Sequence, residues 1–247
     1  MIRLLVNFLE FVLNKLYRNR LYPRFFVLET VARVPYFAYT SVLHLYESMG
    51  WWRKADWIKV HFAESWNELH HLLIIESLGG NKYWIDRFVA RTGAFFYYWI
   101  LVVVFMISPR AAYNFTQLVE EHAYQTYDKF VKEYEEQLKA EPAPQVAINY
   151  YREGDLYMFD EFQTSHPPEE RRPKIDNLYD VFVAIRDDEM EHVKTMVACQ
   201  QADAQLTFMS PHSPSAKFLP ESTLNKVEES EPKLAKEAAE KEPATLF

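Results

Sequence analysis

Long segments with helical spacing of apolar residues constrain the fold of this chain more than any other feature. The chain has 5 glycines in 247 residues, and most of its 13 prolines lie in a few short segments. Between these breaks the apolar residues recur at the three- and four-residue spacing of a helix. This pattern predicts an all-α protein with six long helices, at about 2–17, 22–49, 54–78, 82–107, 109–139 and 177–201.

A few residues mark where the predicted helices bend, begin or end. Pro35 should kink the second helix, and Gly50 should end it. Gly79 and Gly80 follow the third helix. Ser108 and Pro109 separate the fourth helix from the fifth, because serine caps a helix and proline suits its first position. Asp176 is the candidate N-cap of the sixth helix.

Composition divides the chain into three regions and excludes some functions. We expect an N-terminal interfacial helix at 1–20, a helical domain at 21–202, and a polar tail at 203–247 that is too rich in Lys and Glu to form a core. The net charge of -8 argues against nucleic acid, which needs a basic surface. The single cysteine, Cys199, excludes an internal disulfide and a thiolate metal cage.

Two Glu-x-x-His patterns, Glu68 with His71 and Glu189 with His192, indicate a metal site. Residues three apart lie on one face of a helix, so each pair can reach a single metal ion. One copy is weak evidence, because roughly one such pattern is expected by chance in a chain with this many acids and histidines. Either pair alone is as easily a solvated helix face.

Two further glutamates, Glu29 and Glu120, lie in apolar stretches of two other predicted helices. An unpaired buried carboxylate costs on the order of several kcal/mol, so each needs a cation or a proton nearby. One Glu from each of two helices and Glu-x-x-His from each of two others is the ligand set of di-iron carboxylate bundles. The alternatives are that Glu29 pairs with Arg33, and that Glu120 is a surface acid like Glu121. Four carboxylates would balance two ferrous ions, so the set predicts a ferritin-like four-helix bundle holding two Fe ions.

The segments around these residues resemble the alternative oxidase family, from about Tyr22 to Gln201. The match rests on Leu28-Glu29-Thr30, Asn67-Glu68-x-x-His71, the Glu120 segment and Arg186-x-Asp188-Glu189-x-x-His192. The segments 46–52, 64–71, 122–130 and 154–162 are closer to the plastid terminal oxidase branch than to mitochondrial members. The fifth-helix segment reads Glu-Glu-His rather than three successive acids, which is typical of that branch.

The resemblance implies a di-iron quinol oxidase that passes electrons from plastoquinol to O2 and forms water. It implies Tyr127 as a redox tyrosine, Asp188 as the partner of a ligand histidine, and Asn67 in the outer shell. His44 matches a family histidine for which the residues here suggest no role. It implies that the ligands of the two Fe ions are Glu29, Glu68, His71, Glu120, Glu189 and His192, and that the quinone pocket is lined by Arg24, Leu28, Ala123 and Thr126.

Without the resemblance, Tyr127 is as easily a core tyrosine and Arg24 a membrane-surface cation. The four ligand-bearing helices would form the bundle, leaving two additional membrane-associated helices. The most apolar run, 94–107, has 14 residues and is short of the roughly 20 needed to cross a bilayer. The first 24 residues interleave apolar residues with basic ones, namely Arg3, Lys15, Arg18, Arg20 and Arg24, against the lone acid Glu10.

Such a pattern favours a helix that lies in the interface and is drawn to anionic lipid. We therefore expect monotopic attachment through the first and fourth helices, to the thylakoid membrane of a chloroplast or its cyanobacterial equivalent. A homodimer is also expected, and both helices could instead cover the dimer interface.

Four other functions share part of this pattern. A ferritin-like iron-storage protein would have the same ligands but no basic, apolar N-terminus. A di-iron oxygenase or desaturase would act on a carbon substrate, and a ubiquinol alternative oxidase would differ only in its quinol. A purely structural bundle at a membrane surface would hold no metal.

Overall fold

The computed structural model describes residues 11, 15–18, 20–51, 55–153 and 172–201. Within these ranges the secondary structure is helical and contains no strand. The prediction of an all-α fold is confirmed. The connection at 154–171, the tail at 203–247 and most of the predicted first helix at 2–17 lie outside the described residues.

The long helices follow the predicted order with small shifts at their ends. They are α1 (Leu21–Ala32), α2 (Val34–Ser48), α3 (Ala55–Ser77), α4 (Trp84–Ile107), α5 (Pro109–Glu133) and α8 (Leu178–Cys199). Two short helices, α6 (Glu135–Ala140) and α7 (Gln145–Ile148), lie between α5 and α8, and a π-helical turn at Asn149–Glu153 follows α7.

The predicted second helix is divided at Arg33 into α1 and α2. Pro35 is near the start of α2 and has no N–H to donate to the carbonyl four residues earlier, at Val31. The helical hydrogen bonds are therefore interrupted where the sequence predicted a kink. Glu29 lies in the last turn of α1, just before this break, and α2 begins as a separate helix after it.

The helix caps agree with the sequence in one case and differ in another. Ser108 precedes α5, and its hydroxyl accepts a hydrogen bond from the backbone N–H of Ala111 at 3.3 Å. The expectation that Asp176 caps the last helix is wrong. Asn177 is the cap of α8, because its side chain accepts from the Asp180 N–H while the Asp180 carboxylate accepts from the Asn177 N–H. This reciprocal pair satisfies two backbone donors at once.

The predicted fifth helix ends earlier than expected, at Glu133 instead of about Lys139. Tyr134 leaves helical geometry with φ -112° and ψ 16°, and its ring packs against Phe130 with centroids 5.1 Å apart. The change of direction allows Leu138 of α6 to be buried in the core. Core burial therefore decides the helix end, which the helical spacing alone did not reveal.

Two glycines end α3 for different reasons. Gly79 adopts φ 86°, the left-handed conformation that suits glycine after a helix. Gly80 lies against α1, where a Cβ atom would be 2.8 Å from the carbonyl oxygen of Tyr22 and 2.7 Å from Cγ2 of Ile75. The close approach of α1 to the end of α3 requires glycine at position 80.

Two apolar clusters are formed along the bundle, with the candidate ligands between them. The first cluster includes Phe25 of α1, Ile75 of α3, Phe130 of α5 and Phe182 of α8. The second contains residues from the opposite ends of α3, α5 and α8, together with residues of α2 and α4, namely Val34, Tyr39, Val60, Leu101, Phe105, Tyr113 and Met196. On α3, α5 and α8 the acids and histidines fall between the two clusters in sequence, and Glu29 of α1 falls between Val27 of the first cluster and Val34 of the second, which begins α2. The polar groups therefore form a buried layer across the middle of the bundle.

Helix α4 is buried along one face and exposed along the other. Asp86, Ala90, Leu101 and Phe105 face the bundle and are buried. The other face exposes a row of large apolar side chains: Ile85, Phe88, Val89, Phe95, Phe96, Trp99, Ile100, Val103, Met106 and Ile107. Among the described helices, α4 alone has the length and composition of a membrane-crossing helix, with 24 residues. The whole helix is therefore long and apolar enough to cross a bilayer by length and composition, whereas the 14-residue run considered by itself is short of that length.

Candidate metal centre

The six predicted metal ligands converge in the middle of the bundle. Glu29 comes from α1, Glu68 and His71 from α3, Glu120 from α5, and the last two from α8, Glu189 and His192. Each of them is buried, with no more than 1% of its surface exposed. Six side chains of this chemistry on four helices are thus removed from water together.

The six residues form two groups that share two carboxylates. One group contains Glu29 and His71, the other contains Glu120 and His192, and both contain Glu68 and Glu189. Within each group one potential ligand atom of every residue lies within 4.8 Å of the others. Two neighbouring four-residue sets with shared carboxylates are the arrangement needed to hold two metal ions side by side.

The distances around the histidines define how each ring faces the carboxylates. His71 Nδ1 lies 3.3 Å from Glu189 Oε1, 3.7 Å from Glu29 Oε2 and 3.9 Å from Glu68 Oε2. His192 Nδ1 lies 2.9 Å from Glu68 Oε1 and 3.6 Å from Glu189 Oε2. In both rings, the Nδ1 atom therefore faces the cluster of carboxylate oxygens.

Several of these buried atoms make no hydrogen bond to any described residue. They are Glu29 Oε2, Glu120 Oε2, both carboxylate oxygens of Glu189, and His71 Nδ1. Leaving such groups buried and unsatisfied costs about 1–3 kcal/mol each, and more when they are charged. A pair of divalent cations would satisfy these atoms and balance the four carboxylates, so the residues present fit a two-metal centre.

In the metal-free centre, burial and mutual repulsion raise the pKa values of three of the four carboxyl groups. Burial, and then the neighbouring Glu68 and Glu189 carboxylates, raise the pKa of Glu29 well above its usual range. Burial and repulsion from Glu189 likewise raise the pKa of Glu68 and, more strongly, of Glu120. Burial would also raise the pKa of Glu189, but His192 and His71 beside it lower that pKa to about 2.

The pKa values of the two histidines are also raised, which favours their charged forms. Burial alone would lower the pKa of His71, but the carboxylates of Asp188 and Glu189 raise it well above its ordinary value. For His192, burial is likewise outweighed by Glu189 and Glu68, which raise its pKa. Without metal, protons on the glutamates and histidines with raised pKa values therefore offset part of the negative charge of this centre.

Asp188 holds one of the candidate ligand histidines from behind. Its Oδ2 atom lies 3.1 Å from His71 Nε2, and it also accepts hydrogen bonds from Asn67 Nδ2 at 2.9 Å and from the Tyr151 hydroxyl at 3.0 Å. Asn67 donates to the Tyr150 hydroxyl as well, at 2.8 Å. With Nε2 donating to Asp188, the lone pair of His71 is on Nδ1, which faces the carboxylates. The positions inferred for Asp188 and Asn67 thus lie behind the site.

Two buried tyrosines donate hydrogen bonds to the candidate ligands. Tyr127 donates to Oε1 of Glu29, and Tyr36 donates to Oε1 of Glu120 at 2.8 Å. Burial and the adjacent carboxylates, Glu29 for Tyr127 and Glu120 for Tyr36, raise the pKa of both phenols well above the usual range. Tyr127 was singled out from the sequence, whereas Tyr36 was not.

Three tyrosines at the site, Tyr36, Tyr150 and Tyr151, were missed in the sequence. Tyr150 and Tyr151 come from the π-helical turn after α7, in the segment between the predicted fifth and sixth helices. Their partners are on other helices, so no local spacing indicated them. For Tyr36 a signal was present, since it follows Glu29 by the same seven residues that separate Tyr127 from Glu120.

A second buried polar cluster lies beside the centre and was also missed. His61 contacts Glu64 through Nδ1 and the Tyr113 hydroxyl through Nε2, both at 2.8 Å. The pKa of Cys199 is raised, first by burial and then by repulsion from Glu64. Tyr39 shares a hydrogen bond with Thr116 at 2.6 Å. These residues lie nearer the second apolar cluster.

The predicted quinone-pocket residues lie on two helices that contact each other. Arg24 and Leu28 are on α1, and Ala123 and Thr126 are on α5. All four are half-buried, in contrast to the neighbouring ligands. They are therefore at the outer side of the same helices that place Glu29 and Glu120. His44 is exposed on α2, and the structure gives it no role.

The two simple alternatives for the lone glutamates are not supported. Glu29 faces His71 and accepts from Tyr127, and in the described part of the chain it forms no ion pair with Arg33. Glu120 is fully buried, whereas Glu121 is half-buried and accepts a hydrogen bond from Gln117 at 2.8 Å. The adjacent acids therefore have different surroundings.

Comparison with known families agrees with this geometry. The sequence profile of the alternative oxidase family matches residues 1–201. The chain belongs to the alternative oxidase family. The match includes all six residues of the candidate metal centre and the helices that bring them together.

Individual relatives place this alternative oxidase on the plastid branch. It is 63% identical over 202 residues to ubiquinol oxidase 4, chloroplastic/chromoplastic, of Arabidopsis thaliana, a match covering 82% of this chain and 57% of that protein. It is 30% identical over 190 residues to mitochondrial ubiquinol oxidase 2 of Glycine max, covering 76% of this chain and 50% of that protein. The chain thus spans about half the length of these relatives and is far more similar to the chloroplast one.

Proposed function

We propose that this alternative oxidase is a plastoquinol:oxygen oxidoreductase with two Fe ions held by Glu29, Glu68, His71, Glu120, Glu189 and His192. The observation that carries the proposal is the pair of buried ligand groups that share Glu68 and Glu189. Membership of the alternative oxidase family and the 63% identity to a chloroplast ubiquinol oxidase support the same reaction class.

The reaction balances as two quinols and one O2 giving two quinones and two waters. The bound irons would supply the electron transfer between quinol and O2. The chain supplies a dry, rigid site: Asp188 holds His71 with Nδ1 directed inward, and Tyr127 holds Oε1 of Glu29. Since the centre is buried between two apolar clusters, bulk water is excluded from it.

Quinol would approach from the bilayer along α1 and α5. Arg24, Leu28, Ala123 and Thr126 are half-buried on these helices, next to the turns that hold Glu29 and Glu120. Tyr127 follows Thr126 on α5, is buried, and donates a hydrogen bond to Glu29. We propose it as the redox tyrosine that relays an electron and a proton from quinol.

We propose monotopic attachment in a plastid, at the thylakoid membrane. One face of α4 packs against α1 and α2 while the opposite face exposes its apolar row, so the helix would lie in one leaflet with the bundle beside it. The similarity to a chloroplast protein supports the compartment. Association into a homodimer stays a prediction, to be measured by sedimentation in detergent.

Oxygen uptake by the purified, iron-loaded protein tests the function. With a reduced plastoquinone analogue and cyanide present, we expect uptake at one O2 per two quinols. Iron oxidation without quinol turnover would instead indicate storage, and a hydroxylated product would indicate an oxygenase. A higher rate with ubiquinol than with plastoquinol would favour the mitochondrial type of substrate.

Paired substitutions of adjacent glutamates test the ligand set. Glu120→Ala should abolish iron-dependent oxygen uptake while far-UV circular dichroism shows a helical protein. Glu121→Ala is the matched control, because Glu121 is half-buried and pairs with Gln117 rather than with the centre. Equal activity in the two variants would remove Glu120 from the ligand set.

A further inference from the structure

The two tyrosines at the metal centre are arranged reciprocally. Tyr36 follows Glu29 by seven residues, and Tyr127 follows Glu120 by seven residues. Each tyrosine donates to the glutamate of the other segment: Tyr127 to Glu29, and Tyr36 to Glu120. Each segment therefore contributes one carboxylate to the centre and one phenol that holds the opposite carboxylate.

In both pairs the tyrosine hydroxyl donates a hydrogen bond to one carboxylate oxygen of the glutamate and makes none to the other oxygen. Oε1 of Glu29 and Oε1 of Glu120 accept the phenol hydrogen bonds. Oε2 of each is buried and makes no hydrogen bond to a described residue. Oε2 of Glu29 is also the oxygen that lies 3.7 Å from His71 Nδ1, on the side of the candidate ligands.

The ring of Tyr36 is held so firmly that its hydroxyl has little freedom. Its side chain is fully buried, and its ring centroid lies 5.2 Å from that of His192 and 6.3 Å from that of His61. Its hydroxyl is therefore a fixed donor, of the kind that orients a metal ligand from behind.

We propose that Tyr36 is a positioning residue of the metal centre, whose hydroxyl fixes the Glu120 carboxylate so that Oε2 is presented to the metal. The proposal rests on the metal centre proposed above. Glu120 belongs to the group with His192 and not to the group with His71. Tyr36 therefore acts on one of the two metal positions, and Tyr127, through Glu29, acts on the other.

Anaerobic titration of the metal-free protein with Co²⁺ and with Fe²⁺ tests this role without using activity. The wild-type protein should bind two equivalents. In Tyr36→Phe one equivalent should bind about 10- to 100-fold more weakly, the usual effect of losing a ligand's supporting hydrogen bond, while the other stays unchanged. The absorption spectrum of bound Co²⁺ should change for the weakened position only.

Tyr39→Phe is the matched control. Tyr39 is a buried tyrosine on the same helix, but its hydroxyl bonds to Thr116 and the Ala112 carbonyl and not to a proposed ligand. This variant should bind both equivalents as the wild type does. Tyr127→Phe should weaken one equivalent, as Tyr36→Phe does, and the double variant should weaken both.

The outcomes separate the two proposals. A wild-type protein that binds neither Co²⁺ nor Fe²⁺ would overturn the metal centre itself. Two equivalents with unchanged affinity in Tyr36→Phe, or the same loss in Tyr39→Phe, would overturn the positioning role alone. In a Glu120→Gln background, Tyr36→Phe should have little further effect, and an undiminished effect would also contradict the proposal.

Discussion

The Nε2 atom of His71 lies 3.1 Å from Oδ2 of Asp188, and the same oxygen also accepts from Asn67 and Tyr151. One carboxylate oxygen thus ties together α3, α8 and the π-helical turn before the long connection. Because donors from α3 and from the π-helical turn converge on one oxygen of α8, Asp188 fixes both the tautomer and the direction of His71.

Replacement of Asp188 by Asn should weaken metal binding without unfolding the protein. The amide keeps the size of the carboxylate and one accepting oxygen, but it lacks the negative charge that holds the His71 Nε2–H. We expect the affinity of the group containing His71 for Fe²⁺ to fall about 10- to 100-fold, as measured by anaerobic titration. Asp187→Asn is the control, because Asp187 is exposed and pairs with Arg186 at the surface. Equal affinity in the two variants would contradict the role assigned to Asp188.

The metal-free protein should lose stability as the pH rises from about 5 to 8. The folded state raises the pKa values of Glu29, Glu68 and Glu120, so it binds more protons than the unfolded chain above the usual carboxyl range. The unfolding free energy then falls with pH, and the raised pKa values of the two histidines act in the same direction. Glu189, whose pKa is lowered to about 2, contributes stability that is fully present across this window and is lost only at lower pH, so it does not change the slope between pH 5 and 8.

Urea unfolding of the metal-free protein at several pH values measures this slope. Metal binding requires deprotonated ligands, so the loaded protein should not show the decline, and loading in weak buffer should release protons. Glu120→Gln removes one of the titrating acids and should flatten the decline. A metal-free protein that gains stability between pH 5 and 8 would contradict the assignment.

Arg20 ties the N-terminal segment to α4 and should matter for stability. Its guanidinium donates to both carboxylate oxygens of Asp86, and the Tyr17 hydroxyl donates to Oδ1 of Asp86 at 3.1 Å. Asp86 is buried and Arg20 is partly exposed, so Arg20→Ala leaves a buried carboxylate with a weaker set of donors. We expect a loss of about 1–3 kcal/mol in urea unfolding. Arg18→Ala, at an exposed position, should change the unfolding free energy by less than about 0.5 kcal/mol.

The positions of the six candidate ligands could be predicted because each is fixed by local spacing on its own helix. Glu68 and His71 share a face by helical geometry alone, and the apolar neighbours of Glu29 indicated its burial. Contacts between helices were harder to foresee. Arg20 was counted among the basic residues of a segment drawn to anionic lipid, but it binds Asp86, whose burial depends on how α4 packs. This removes one basic residue from those available to anionic lipid.

The same limit applies to the residues behind the site. Tyr150 and Tyr151 lie in a segment without helical spacing, so their approach to Asn67 and Asp188 follows only from the folded chain. Tyr36 was foreseeable, since its spacing from Glu29 repeats that of Tyr127 from Glu120. A repeated spacing between an acid and a phenol on two helices is therefore worth examining wherever the acids are candidate ligands.

Charged substitutions in the exposed row of α4 should weaken membrane binding. Phe96 is 61% exposed and Ile100 is 59% exposed, one helical turn apart on the same face. If this face is immersed in lipid, a glutamate at either position has to enter an apolar environment beside anionic headgroups, which is unfavourable. The double variant Phe96→Glu, Ile100→Glu should therefore bind vesicles of anionic lipid about tenfold more weakly or worse. Phe62→Glu is the control, since Phe62 is 50% exposed on α3, a different helix. Flotation of the iron-loaded protein with vesicles measures this, and sedimentation of the same variants in detergent separates lipid binding from dimer contact. Loss of self-association together with unchanged flotation would show that the row covers a second copy of the chain instead of lipid.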